Sequence, residues 1–407
     1  MIRHYSIACL LISLSLGGNV FAKEPSQYLL VNLHRHELTR EGLQDIKQKL
    51  AVRTDSDIRI GVCMIYSYLQ TPNDDVAEAR LLQQIKDDLA LTQEAELPML
   101  IHLDGENWWN GYPELWNWWD PNKPGYNPNN AENVEWTDWG PEHAIKISWR
   151  NWGRQLRVLP APNLMSPAFI AAWKAKMDKI VPVILDWAQS LPDEKKYLFV
   201  GIKVGFESSV GVNAWYYPNG NDLLDKPEKD DPQMGLAPKQ VPGRGVQLIG
   251  YAALTFAGIR KSGQITEADL AEVARRHLES LSHRAAELGV PREKLFTHGA
   301  GWKEEELLYD AVLNKYSCPS WSFYDFASDA RKDLGVKRAL ERSDAPYWGA
   351  SEWLLHHDNK EQWISGLRNT LCHPQCRYVC IFNWMSIINL PSVHKAIRTV
   401  TAPVENF

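Results

Sequence analysis

Apolar runs of strand length alternate with longer amphipathic stretches along the 407-residue chain. The runs are QYLLVNLHRHEL (27–38), IRIGVCMIYSYL (58–69), PMLIHLDGEN (98–107), YLFVGIKVGFE (197–207), KLFTHGAGW (294–302), PSWSFYDF (319–326), APYWGASEWLL (345–355) and CRYVCIFNW (376–384). Helical spacing of apolar residues appears at 40–52, 74–97, 166–191, 246–262, 266–289, 303–315, 327–342, 359–371 and 390–400. The third of these opens on Ser166 and Pro167, a helix start signal. Strands alternating with helices predict an α/β fold with a parallel sheet. Eight such units predict a (β/α)8 TIM barrel with long loop insertions after strands three and four. The open doubly wound sheet is the alternative, but no G-x-G-x-x-G follows the first strand. Without an internal repeat or a low-complexity linker, residues 23–407 read as a single domain.

Residues 1–22, MIRHYSIACLLISLSLGGNVFA, stand outside this pattern. Arg3, an apolar run from Ile7 to Leu16 and the small Ala22 predict a signal peptide cleaved after Ala22, hence a secreted or periplasmic protein. The run is too short to span a bilayer, Cys9 lies inside it and not after it, and no later segment offers a span, so no membrane insertion is expected after cleavage. A net charge of -6 and the lack of a basic tract argue against a nucleic-acid partner. Beyond the signal lie Cys63, Cys318, Cys372, Cys376 and Cys380, an odd number. Cys372 and Cys376 either bridge across CHPQC or stay free thiols, and no spacing pairs cysteines for zinc.

Tryptophan changes the picture: the chain has 18, and Trp108, Trp109, Trp116, Trp118, Trp119, Trp136, Trp139, Trp149 and Trp152 cluster in a stretch rich in Asn, Pro and Gly. Flat aromatic faces suit the C–H face of a pyranose ring. About half of these tryptophans are expected to pack the loop onto the barrel and the rest to meet a carbohydrate substrate. In such a barrel the site lies at the C-terminal ends of the strands. The candidates there are His34 and His36, Asp104 and Glu106, Glu207, His298 and Trp302, Tyr324 and Asp325, Glu352 and Trp353, and Asn383 and Trp384. Glu207 and Glu352 end strands four and seven, which face each other across the mouth, and two carboxyls so placed suit glycoside hydrolysis. Asp104, Glu106, Trp108, Trp109, Trp215, Tyr216, His298 and Trp302 are expected to bind substrate. For Asp104 and Glu106 a catalytic role or oxygen-ligated calcium is the alternative. Arg150, Arg154 and Arg157 read as solvated loop positions or as a site for an acidic sugar. No G-x-S-x-G is present, against a serine hydrolase.

In VGFES, ending at strand four, and WGASEW, at strand seven, the chain resembles the clan A retaining glycoside hydrolases, whose catalytic glutamates end those strands of a (β/α)8 barrel. The resemblance implies Glu207 as acid/base, Glu352 as nucleophile, Tyr324 touching that nucleophile, and Trp384 as the aromatic floor of a sugar subsite. It implies cleavage of a β-linked oligo- or polysaccharide with retention, no cofactor and no metal. The chain departs from the clan at Phe206, where an asparagine usually precedes the acid/base, and in lacking the usual arginine near the end of strand two. A carbohydrate-binding barrel without catalysis is one alternative. A metal-dependent hydrolase built on His34, His36 and Asp104 is another.

Overall fold

The computed structural model describes residues 27–53, 56–151, 155–207, 214–215, 248–299, 307–324, 326–373 and 375–402. Eight strands, β1 (Gln27–Leu33), β2 (Ile58–Ser67), β3 (Met99–Asp104), β4 (Phe199–Val204), β5 (Leu295–Gly299), β6 (Cys318–Phe323), β7 (Trp348–Trp353) and β8 (Cys376–Ile381), pair in parallel. They close into a barrel in the order β1-β8-β7-β6-β5-β4-β3-β2. The helices are α1 (Arg40–Leu50), α2 (Asp75–Ala95), α3 (Pro167–Ser190), α4 (Glu267–Glu287), α5 (Leu334–Arg342), α6 (Lys360–Leu371) and α7 (Pro391–Thr401). Polar caps fix where most of them begin. Thr39, Asp74, Ser166, Thr266, Asp333 and Asn359 each accept a backbone N–H of the first turn, and Pro167 occupies the first helical position of α3.

The predicted strands ran too far at their C-terminal ends, because Leu69, Phe206, Leu354 and Leu355 beyond them are buried and extend the apolar run without joining the sheet. The helix expected at 246–262 is the single stretch Tyr251–Phe256. That expected at 327–342 is broken at Asp333, whose buried carboxylate caps Val336 and accepts the Tyr309 hydroxyl at 2.9 Å. Of the 303–315 helix, residues 303–306 lie outside the described residues and Leu307–Val312 form a 3-10 helix. The signal segment also lies outside them. Among the described residues no helix is long and apolar enough to cross a membrane. All five described cysteines are free thiols, so Cys372 and Cys376 are not bridged.

Two apolar cores flank the sheet. The larger fills the space between barrel and helices. The smaller fills the lumen with Tyr28, Leu30, Leu100, Val200, Phe296 and Tyr378 among others, and Phe296 on β5 meets Tyr378 on β8 across it at 4.9 Å. Two register breaks govern what else enters the lumen. In β4, Met99 pairs with Phe199 but Leu100 with Gly201, so alternation restarts one residue late. Lys203 thereby stands in register with His102 and Phe296, on the lumen side. A Cβ at Gly201 would lie 2.3 Å from the Lys294 carbonyl oxygen. In β7, Ala350 pairs with Trp321 but Glu352 with Ser322, leaving Ser351 as the extra residue and turning Glu352 inward.

The stretch between β3 and α3 holds Ser148–Asn151 and Gln155–Val158 as an antiparallel hairpin. Ala214–Trp215, from the insertion after β4, adds a third strand, with Trp149 opposite Trp215. Of the clustered tryptophans, Trp109, Trp136 and Trp149 are buried and Trp108, Trp116, Trp118, Trp119 and Trp139 are half-buried, while Trp152 lies outside the described residues. Their indole N–H groups serve the loop itself: Trp116 donates to Trp109, Trp118 to Ile145 and Trp136 to Ala131 carbonyls. Trp109, Trp116, Trp118, Trp136 and Trp149, five of the nine, thus pack or bond within the loop, close to the expected half. Glu135 anchors the same stretch. It is fully buried against the start of the Tyr251–Phe256 helix, and burial pushes its carboxyl up to about 8, against the opposing pull of the Trp136, Ala253, Ala252 and Gly250 N–H groups.

Two outcomes follow. Gly201→Ala forces a backbone shift against Lys294 and lowers stability by about 1–3 kcal/mol, read by denaturant unfolding. The Glu135 carboxyl holds a proton in the folded chain that the unfolded chain releases near its ordinary value. Its contribution to stability is therefore full below the ordinary carboxyl range and is lost as pH rises through about 8. Melting temperatures from pH 4 to 9 fall more steeply for the wild type than for Glu135→Gln; parallel curves would contradict this.

Candidate active site

Above the packed lumen, at the C-terminal ends of the strands, opens a cavity of about 760 Å³. Glu352 reaches it through the bulge in β7. Glu207 reaches it from beyond β4, after Gly205 (φ 79) turns the chain out of the sheet. No side chain is tolerated at that turn, where a Cβ would meet Leu278 at 2.5 Å. His102 on β3 fixes the turn by donating from Nε2 to the Gly205 carbonyl at 2.6 Å. Glu207 and Glu352 are 2% and 4% exposed. Oxygens of Glu207 and Glu352 and a ring nitrogen of His298 all lie within 4.8 Å of one another.

Each group's electrostatics follow from its neighbours. Burial raises the Glu352 carboxyl, and the Lys203 charge and the Tyr324 hydroxyl, which donates to Oε2 at 2.6 Å, work against that rise. Burial drives the Tyr324 hydroxyl well above its ordinary value, with the Glu352 and Glu207 charges adding to the effect. His298 and His102 are pushed well below the usual histidine range, by burial first and then by Lys203, so both rings are neutral at pH 7. His298 shares a hydrogen bond with the Ser322 hydroxyl at 3.0 Å. Asp104 also lines the cavity; burial, with Glu106 adding, raises it to about 6. Among the described residues, Glu207, His298 and Glu352 form the one group compact enough to hold a metal. The ammonium of Lys203 and the hydroxyl already bound to Glu352 oppose a dication there, and the three groups suit proton transfer better.

The other candidates divide. Trp108 and Asn383 line the cavity with Asp104 and Tyr324, and Asn383 also caps the short helix Trp384–Ile387. Glu106 turns away from it and pairs with buried His277 of α4 at 2.7 Å. Trp109 is buried against Phe169 and donates to the Pro160 carbonyl. Trp384 is buried and stacked on His394. In place of the expected Trp384, Phe382 lines the cavity, one residue past β8. Trp353 packs outward against Trp363. His34, just past β1, lines the cavity and His36 does not; their rings stack at 5.9 Å and are exposed, and among the described residues they form no ligand group with Asp104. Arg150, read as solvated, is buried where Asp104 and Glu106 act on it, and burial lowers it to about 10. Tyr216, Trp302, Asp325 and Arg154 lie outside the described residues, as do the side chains of Trp215 and Arg157. Sequence reading passed over Lys203, His102 and His356, whose ring stacks on Tyr324 at the rim.

No family model and no curated protein matches the sequence. Solved structures similar in fold include a glycoside hydrolase family 5 enzyme from Prevotella bryantii B14, at 9% identity and a TM-score of 0.44 over 94% of this chain and 97% of that one. Another is the catalytic domain of a β-amylase from Paenibacillus polymyxa, at 9% identity and a TM-score of 0.48 over 93% and 100%. A third is an exo-β-1,4-mannosidase from Opitutaceae bacterium strain TAV5, at 11% identity and a TM-score of 0.42 over 92% and 59%.

The two acidic residues at the end of β3 separate by experiment. Glu106→Ala strands buried His277 and costs on the order of 3 kcal/mol of stability. Asp104→Asn leaves the melting temperature within a few degrees, read by thermal unfolding. Equal stability losses in both variants would contradict the division.

Proposed function

We propose that the protein is an exported glycoside hydrolase that cleaves a β-linked oligo- or polysaccharide with retention of configuration. One observation carries the reading: carboxyl oxygens of Glu207 and Glu352 approach within 4.8 Å at the mouth of the barrel. Retaining enzymes hold their two carboxyls about 5–5.5 Å apart, whereas inverting enzymes leave roughly 6.5–9.5 Å for a water. Glu352, whose ionised form is favoured by Lys203 and by the Tyr324 hydroxyl, attacks the anomeric carbon. Glu207 protonates the departing glycosidic oxygen, then takes a proton from the water that releases the sugar. Asp104, Asn383 and Trp108 lie where sugar hydroxyls and a ring face would meet the wall. The apolar segment before Ala22 supports export.

Aryl glycosides followed by proton NMR test the reading. The first-formed sugar has the anomeric configuration of the substrate. Glu207→Gln and Glu352→Gln each lower kcat by about 10²–10⁴-fold. Sugar binding without hydrolysis by the wild type would point instead to a binding barrel, and a first product of opposite configuration to a water-mediated inverting reaction.

A further inference from the structure

Lys203 lies in the middle of the apolar strand β4, where nothing in the packing of the lumen calls for a cation. The register break at Gly201 brings it to the inner face beside His102 and Phe296, and it is 1% exposed. An ammonium so placed is costly unless an opposite charge meets it. Its Nζ donates to the Ser351 carbonyl at 3.3 Å, which brings it to the residue before Glu352. One neutral carbonyl does not balance a buried charge.

The groups facing Glu352 can be taken element by element. Tyr324, beyond β6, gives a hydroxyl; Glu207, beyond β4, gives the second carboxyl; His298, on β5, gives a neutral ring. Cys63 on β2 and Cys380 on β8 are thiols within electrostatic reach, and His102 on β3 is neutral. Lys203 is the cation acting on Glu352, and its influence outranks that of the Tyr324 hydrogen bond.

We propose that Lys203 is a positioning residue for Glu352: held on the inner face of the barrel, its ammonium is the counter-charge that keeps this carboxylate ready to attack. It does so from strand four, in a chain whose second strand ends in MIYSYLQ without an arginine. Glu352 returns the service, since its charge is what makes an ammonium tolerable in the lumen. The assignment of a nucleophilic role rests on the double-displacement reading above; the pairing itself does not.

Two measurements on the full chain test it. In Lys203→Met, the acid limb of the kcat/KM–pH profile moves upward by about 1–3 pH units, because the nucleophile must be ionised and has lost its cation. Below the limb, activity falls about tenfold for each unit of that shift. The alkaline limb stays in place. A folded Lys203→Met with an unmoved acid limb overturns the proposal. The second measurement needs no substrate: thermal unfolding of Lys203→Met, Glu352→Gln and the double variant. Each single change strands the partner's charge or its site, so the double variant melts well above the sum of the single losses. If Lys203→Met alone fails to fold, recovery of folding on adding Glu352→Gln is the same result. Additive losses, or no recovery, overturn the pairing. Coupled melts with no hydrolysis of any glycoside would keep the pairing and sink the hydrolase reading.

Discussion

Lys203 and Glu352 are both buried over a barrel lumen closed by Tyr28, Leu30, Phe296 and Tyr378, and each is tolerable there because of the other. The aromatic plug sets the depth at which the chemistry can begin, and the polar layer above it must satisfy itself from its own members. Tyr324 serves Glu352, Ser322 serves His298, and the Gly205 carbonyl serves His102. Tyr324, His298 and His102 thus each have a hydrogen-bond partner within or next to the layer.

Two departures from regular strand geometry build that layer. Regular alternation would aim Glu352 and Lys203 at the surrounding helices, among apolar side chains. One added residue in each of β4 and β7 reverses the facing direction from that point onward. Behind the cavity wall, Glu106 with His277, and Arg150 near Asp104, form a second buried polar group that holds the β3 end against α4. Asp104 thus belongs to the cavity while its neighbour two residues on belongs to the scaffold.

The barrel was legible because each strand is a compact apolar run and each helix begins at a polar cap, as at Ser166 and Thr266. Strand ends were less so, since the residues that form the mouth are as apolar as those in the sheet; Phe206 and Leu354 carry no mark of leaving it. Glu207 and Glu352 were found because a carboxylate closing an apolar run is conspicuous. Lys203 had the same signal, a charge inside VGIKVG, but alternation alone gives its facing direction wrongly unless the break at Gly201 is known. Which of the tryptophans pack the loop was not legible. Composition reports how many flat faces exist, whereas their direction depends on hydrogen bonds such as that from Trp109 to Pro160.

The antiparallel pairing of Trp149 with Trp215 ties the excursion after β3 to the insertion after β4, the one that starts at Glu207. Ser148–Asn151 and Ala214–Trp215 are consequently joined along one seam although more than 60 residues separate them in the chain. Trimming or grafting one without its counterpart leaves a row of backbone donors and acceptors bare. Changes to either stretch, whether by natural drift or by design, are thereby tied to changes on the other side of that seam.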